Sequence, residues 1–210
     1  MDPYDDPLED DDEDAWDEGA LDEGAESMTF LVFGGEEQRP ALELYAAFRR
    51  PATEADRRAE EEARRDGFFE AELLDELREP VAGGGRLLLA GLGGEEDRLF
   101  AAPTTTGAVA HAVLPNGGGG CDDPGPDGLV LAGLTLPGSF AVLGLVADAV
   151  ERVDVLVRGE RRPAQMGENA FGLRVDDVSA SALEGLALHR TDGTVAEIEI
   201  PRLPPDGGAD

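Results

Sequence analysis

The sequence predicts a mainly β protein: an antiparallel β-sandwich or small barrel of about eight or nine short strands, preceded by two or three short helices and a disordered acidic N-terminal tail. Three observations carry that expectation. Residues 1–27 hold 14 acidic side chains and no basic one. Residues 40–79 place apolar side chains at helical spacing between prolines. Beyond Pro80, short apolar runs recur between Gly-, Pro- and Asp-rich turn signals, with no helix-length pattern among them. The organisation that follows is a tail over 1–27, a short strand and helices over 28–80, a β-sandwich over 81–203 and a frayed end over 204–210.

In the tail, self-repulsion and scarce apolar groups leave nothing to offset the entropy of ordering the backbone. Trp16 and Leu21 stand alone there and can serve as an acidic-hydrophobic docking motif, the competing reading being incidental placement. The run Phe30-Leu31-Val32-Phe33 is long enough for a short strand and too short for a secretory signal, and no basic residue precedes Arg39.

Pro40 suits the first turn of a helix over 41–50, where Leu44, Tyr45 and Phe48 share a face and Pro51 ends the run. Thr53 stands three residues before Asp56, the spacing of a capping box. Glu54–Arg58, Glu60–Arg64 and Glu61–Arg65 then support the helix as i,i+4 pairs, and with almost no apolar face it reads as a solvated connector. After Gly67, Phe69, Leu73 and Leu77 repeat at i, i+4, i+8 until Pro80. That amphipathic helix can dock onto its own domain or onto a partner.

The expected strands are 86–90, 98–102, 108–114, 129–132, 140–146, 152–157, 170–175, 186–189 and 194–200. Several alternate at period two, as in Val195-Ala196-Glu197-Ile198-Glu199-Ile200. Thr191-Asp192-Gly193 marks a hairpin turn between the last two. Residues 128–147 contain no charge, long enough for a membrane span, but Pro137-Gly138-Ser139 at the middle favours two buried strands joined by a turn.

The chain has 17 basic residues, all Arg, against 47 acidic ones, a formal charge of −30. That field repels phosphate and argues against nucleic acid and against an anionic membrane face. A lone Cys excludes an internal disulfide scaffold. Nothing in the spacing joins Cys121 to His111 or His189 as nucleophile and base. Ser139 lacks the glycines of a nucleophile elbow, Glu96 stands where a dinucleotide fingerprint needs Gly, and the absence of Lys removes a Walker-type site. Calcium is the least implausible ion, through Asp122, Asp123 and Asp127 in an Asp-, Gly- and Pro-rich loop, for which an ordinary turn is the simpler reading. The acidity itself suits either adaptation to high salt or a label for a basic partner.

Gly144-Leu145-Val146-Ala147-Asp148-Ala149-Val150-Glu151-Arg152-Val153-Asp154-Val155, followed by Gly167-Glu168-Asn169-Ala170-Phe171, resembles a small β-sandwich domain of actinobacterial envelope-associated proteins. Upstream, Phe48-Arg49-Arg50-Pro51-Ala52-Thr53-Glu54-Ala55-Asp56 is similar to an "RRP.T.AD" segment of such chains. The resemblance implies the sandwich fold and an envelope-associated lineage, and no reaction. Read as architecture, Gly144 permits close backbone approach, Asp148 caps its own turn, Asn169 is a turn residue and Phe171 a core anchor.

The expected function is thus a non-enzymatic protein-interaction or structural module, without catalytic residues or cofactor, cytoplasmic or membrane-peripheral. Phe69, Leu73, Leu77 and Trp16 are its partner-facing candidates, and a basic or envelope-associated protein is the expected partner. The competing class is a small-ligand or Ca-binding β-domain, or an enzyme with a pocket in the sandwich loops, including 103–107 and 117–127.

Overall fold

The uncharged run at 128–147 supplies two of the three inner strands of a sheet covered on both faces, which is why it carries no polar alternation. The computed structural model describes residues 27–31, 40–68, 79–91, 97–115, 119–136 and 138–200. In chain order the elements are β1 (Ser27–Leu31), α1 (Ala41–Leu44), α2 (Ala46–Arg49), α3 (Glu54–Arg65), β2 (Arg86–Ala90), β3 (Arg98–Pro103), β4 (Val109–Leu114), β5 (Gly119–Asp122), β6 (Val130–Leu136), β7 (Ser139–Leu145), β8 (Val150–Val157), β9 (Glu160–Pro163), β10 (Gln165–Met166), β11 (Ala170–Asp176), β12 (Leu183–Arg190) and β13 (Val195–Glu199). They form three antiparallel sheets: a central one in the order β1-β6-β7-β11-β10, a helix-side one, β2-β3-β4-β5, and an outer one, β13-β12-β8-β9.

Side-chain alternation sets the layers. On one face of the central sheet, Val130, Ala132, Ala141, Leu143 and Leu145 pack with Leu99, Ala101, Val109 and Val113 of the helix-side sheet. On the other, Leu131, Phe140, Val142 and Phe171 pack with Val153, Val155, Leu186 and Leu188 of the outer sheet. The helix-side sheet is covered in turn by α3, whose Ala59 and Ala63 lie against Phe100, Ala102, Ala112 and Leu114. The expected two-layer sandwich is therefore a stack of three sheets with a helix on one flank, and no sheet closes into a barrel. Every one of the nine expected runs is a strand, β1 is the short strand expected ahead of the helices, and β5, β9 and β10 add to them.

Close approach is what Gly144 provides. A Cβ there would lie 3.0 Å from the Phe171 ring and would strike the Val130 carbonyl oxygen on the neighbouring strand. Two turns follow their sequence signals. Leu136 pairs with Ser139 across the Gly138 turn, with Gly138 at φ 70°, and Asp192 caps the β12–β13 hairpin by accepting from the Thr194 N–H at 2.9 Å.

Three expectations are corrected. The helix over 41–50 is two short turns, α1 and α2, broken at Tyr45, which is extended at φ −120° and ψ 116°. The α3 helix, though capped by the Thr53–Asp56 box as expected, is no solvated connector; it buries Asp56, Ala59 and Ala63, because alanines let a helix approach a sheet without a large apolar stripe. Its Glu54–Arg58 and Glu60–Arg64 pairs form, whereas Arg65 meets Asp66. Part of the Gly-rich stretch after Pro115 is an edge strand, β5, paired to β4. Among the described residues no helix is long and apolar enough to cross a membrane.

Candidate functional site

Two polar regions stand out, one knitted by internal hydrogen bonds and one open. The first explains the break at Tyr45. Helix α2 begins with N–H groups that no preceding turn satisfies. Two side chains from the β-domain accept them instead: Asp148 Oδ1 from the Ala46 N–H at 2.6 Å and Asn169 Oδ1 from the Ala47 N–H at 2.9 Å. Asn169, held at φ 57°, also donates to Asp148 Oδ1 and to the Val146 carbonyl. Arg49 pairs with Asp148, and the buried Tyr45 hydroxyl donates to the Gly128 carbonyl at 2.5 Å. Asp148 thus caps another segment, about a hundred residues upstream, and not its own turn.

Below it lies a second node. Asp56, 1% exposed, accepts from Arg50, from the Thr53 N–H and hydroxyl, and from the Leu87 N–H at 2.8 Å. Burial alone would raise its carboxyl, but the hydrogen bonds from Arg50, Thr53 and Leu87 outweigh that and hold it well below the usual carboxylate range. Arg50 also reaches Glu168 at 2.5 Å. Arg86, 5% exposed, donates to the Ala47 and Arg50 carbonyls at 3.1 and 2.6 Å. The stretches 49–56 and 148–169 are thereby the two halves of one clasp. Its groups are spent on each other, which makes it architecture.

The chemical candidates are not brought together. Asp127 is gripped by Arg190 in a bidentate pair, 2.7 Å at each oxygen. Asp122 lies at the end of β5 with Oδ2 3.7 Å from His111 Nδ1. No group of three potential metal-ligating side chains, Asp122, Asp123 and Asp127 included, assembles among the described residues. In the β4–β5 pairing Cys121 stands opposite Ala110 and His111 opposite Gly120, so thiol and imidazole lie on opposite faces of the sheet. His111 is 1% exposed, and burial pushes its imidazole down to about 4, leaving it neutral at neutral pH. His189 shares Asp154 with Arg152 on the outer sheet, its Nε2 2.7 Å from the carboxylate, and among the described residues no hydroxyl or thiol bonds it. Trp16, Phe69, Leu73 and Leu77 lie outside the described residues.

The open region is the rim of the outer sheet. The Arg190 N–H bonds the Thr194 carbonyl at 2.9 Å and the Ile200 N–H bonds the Glu184 carbonyl at 3.1 Å. With the β12–β13 register, these bonds commit residues 194, 196, 198 and 200 to β12 and turn the N–H and C=O groups of Val195, Glu197 and Glu199 to the free edge. The same three side chains lie on the solvent face. Beside them is a cavity of ≈ 780 Å³ lined by Leu156, Gly185, Glu197, Ile198, Glu199 and Ile200, among others. Arg161 pairs with Glu197 from β9, while Glu199 has no ion-pair partner among the described residues. Site reasoning from sequence passed over these glutamates, although the period-two run at 194–200 contains them; alternation reveals a strand but not that it is an edge. No protein-family model, curated protein or solved structure matches this chain.

Proposed function

We propose that this chain is a non-enzymatic protein-interaction module that recognises a basic partner. The observation that supports it is the open, acidic rim of the outer sheet, where Glu197 and Glu199 flank a cavity and unpaired backbone groups on a chain of charge −30. Charge of one sign steers an oppositely charged partner and rejects like-charged ones. The His189–Asp154–Arg152 cluster spends its hydrogen bonds internally, which suits a stabilised sheet face. The resemblance to envelope-associated chains directs the search for the natural partner to basic envelope proteins. The test is anisotropy of labelled Arg-rich and Glu-rich peptides of equal length, titrated with the full chain at several salt concentrations. Binding of the Arg-rich peptide alone, weakening as salt rises, is the expected result; equal binding of both, or of neither, overturns the proposal.

A further inference from the structure

The rim has a geometry more specific than its charge. We infer that β13 is a docking edge for an extended basic segment of a partner, which adds to the outer sheet as a fifth strand beside Val195–Glu199. This deepens the reading just given and rests on it.

Backbone comes first. Val195, Glu197 and Glu199 present three N–H groups and three C=O groups at alternate positions along one straight edge, the pattern that an antiparallel strand saturates. The edge is also free of backbone obstacles to pairing. Natural edges are blunted by prolines, charged side chains, bulges or shortness, and on β13 only the charges of Glu197 and Glu199 do so, which turn away like charge and admit a basic strand. Among the other described edges, β9 ends in Pro163 and carries two arginines, β2 has a register shift between Leu87 and Leu89, and β10 is two residues long. The β13 strand runs five residues in unbroken register and has neither proline nor arginine; the edge strand β1 shares that, but carries no acidic residue to select a basic occupant.

Side chains then choose the occupant. On the outer face an added strand would set its own side chains opposite Glu197 and Glu199, so basic residues two apart are attracted and acidic ones repelled. Glu199 is the stronger anchor, since Glu197 is shared with Arg161. On the inner face the newcomer would lie beside Ala196 and Ile198, which are half-buried against the core and accept an apolar residue between the two basic ones. The recognised chemistry is therefore basic–apolar–basic in extended form. A second copy of β13 would set glutamate against glutamate across the new pair, so like charge disfavours dimerisation through this edge.

The test uses the ¹⁵N-labelled full chain and a nine-residue peptide of alternating Arg and Val, with alternating Glu and Val as control and a scrambled Arg/Val peptide of the same composition. The expected result is slowed amide exchange and shifted resonances centred on Val195, Glu197 and Glu199, for the alternating Arg peptide in preference to both controls. E197P removes an outward N–H while sparing every bond to β12, and should abolish that protection. E197K/E199K, a surface change that keeps the backbone intact, should weaken binding about tenfold if each lost cross-strand charge pair is worth roughly half to one kcal/mol. Binding of the basic peptides that leaves the three amides unmoved, or that is equal for the scrambled peptide, overturns the docking edge while the broader reading survives. Failure of all Arg peptides to bind overturns both. Concentration-dependent dimerisation through the same amides without peptide would assign the edge to a second copy and overturn the inference too.

Discussion

The clasp around Asp56 and Asp148 and the rim at β13 both expose the same chemistry, carboxylates beside backbone donors, and put it to opposite use. In the clasp, Asp148, Asn169 and Asp56 accept the N–H groups of Ala46, Ala47, Thr53 and Leu87, and Arg50 and Arg86 fill what remains. At the rim, Val195, Glu197 and Glu199 leave theirs to water. Burial is the difference at the Asp56 and Arg86 end of the clasp, whereas Asp148 at its other end is exposed and held by the N–H groups and Arg49 that it accepts from. A buried polar group without a partner costs about as much as a lost hydrogen bond, so the node at Asp56 and Arg86 favours full pairing, whereas a solvated edge carries no such obligation. Where completeness is enforced the residues serve the fold; where it is not, they remain available to a partner.

Breaking the clasp should give the largest effect at neutral pH. Asp56→Ala leaves the Thr53 and Leu87 N–H groups without their acceptor and Arg50 with Glu168 alone, and should lower stability by about 2–3 kcal/mol in urea unfolding monitored by circular dichroism. A loss below about 1 kcal/mol would mean that the node is dispensable and the contrast with the rim wrong. Acid should act next, through the buried imidazole. His111 titrates near 4 when folded against 6.5 in the unfolded chain, so it does not affect stability above pH 6.5. As pH falls from 6.5 towards 4 the unfolded state takes up a proton that the folded state refuses, and stability should drop by on the order of 3 kcal/mol. His111→Leu should flatten that part of the pH–stability curve; an unchanged slope would clear His111. The stabilisation from Asp56, whose folded carboxyl is depressed, is present above the usual Asp range and is lost only as pH falls below it, so the two windows separate. At the rim, Glu199→Ala should change stability by no more than about 0.5 kcal/mol by the same urea assay, as expected for a solvated side chain without a partner. A larger loss would make the rim part of the architecture.

Much of the fold was legible in residue order. Period-two runs, the Asp192-Gly193 hairpin, the Pro137-Gly138 turn and the Thr53–Asp56 cap are local signals, written within a few residues and governed by backbone preference. The clasp was half legible. Asp148 and Asn169 read as turn residues, and Asn169 does hold a left-handed backbone, but their contacts with Ala46 and Ala47 join positions about a hundred residues apart. No spacing rule encodes such a contact. The docking of α3 was missed because two alanines make too weak an apolar pattern, although they suffice where the facing sheet supplies Phe100 and Leu114.

By itself the sequence determined the nine longer apolar strands, most of the turns and the charge, since alternation, glycine and proline geometry and counted carboxylates act over short range or by simple sum. Tertiary structure alone decided that 128–147 lies between two other sheets, that the helix over 41–50 yields at Tyr45 to side-chain acceptors from the β-domain, and that β13 ends a sheet. Those outcomes depend on which surfaces meet. Apolar faces choose their neighbours by the area they bury together, and a backbone group's fate is settled by the neighbour that reaches it.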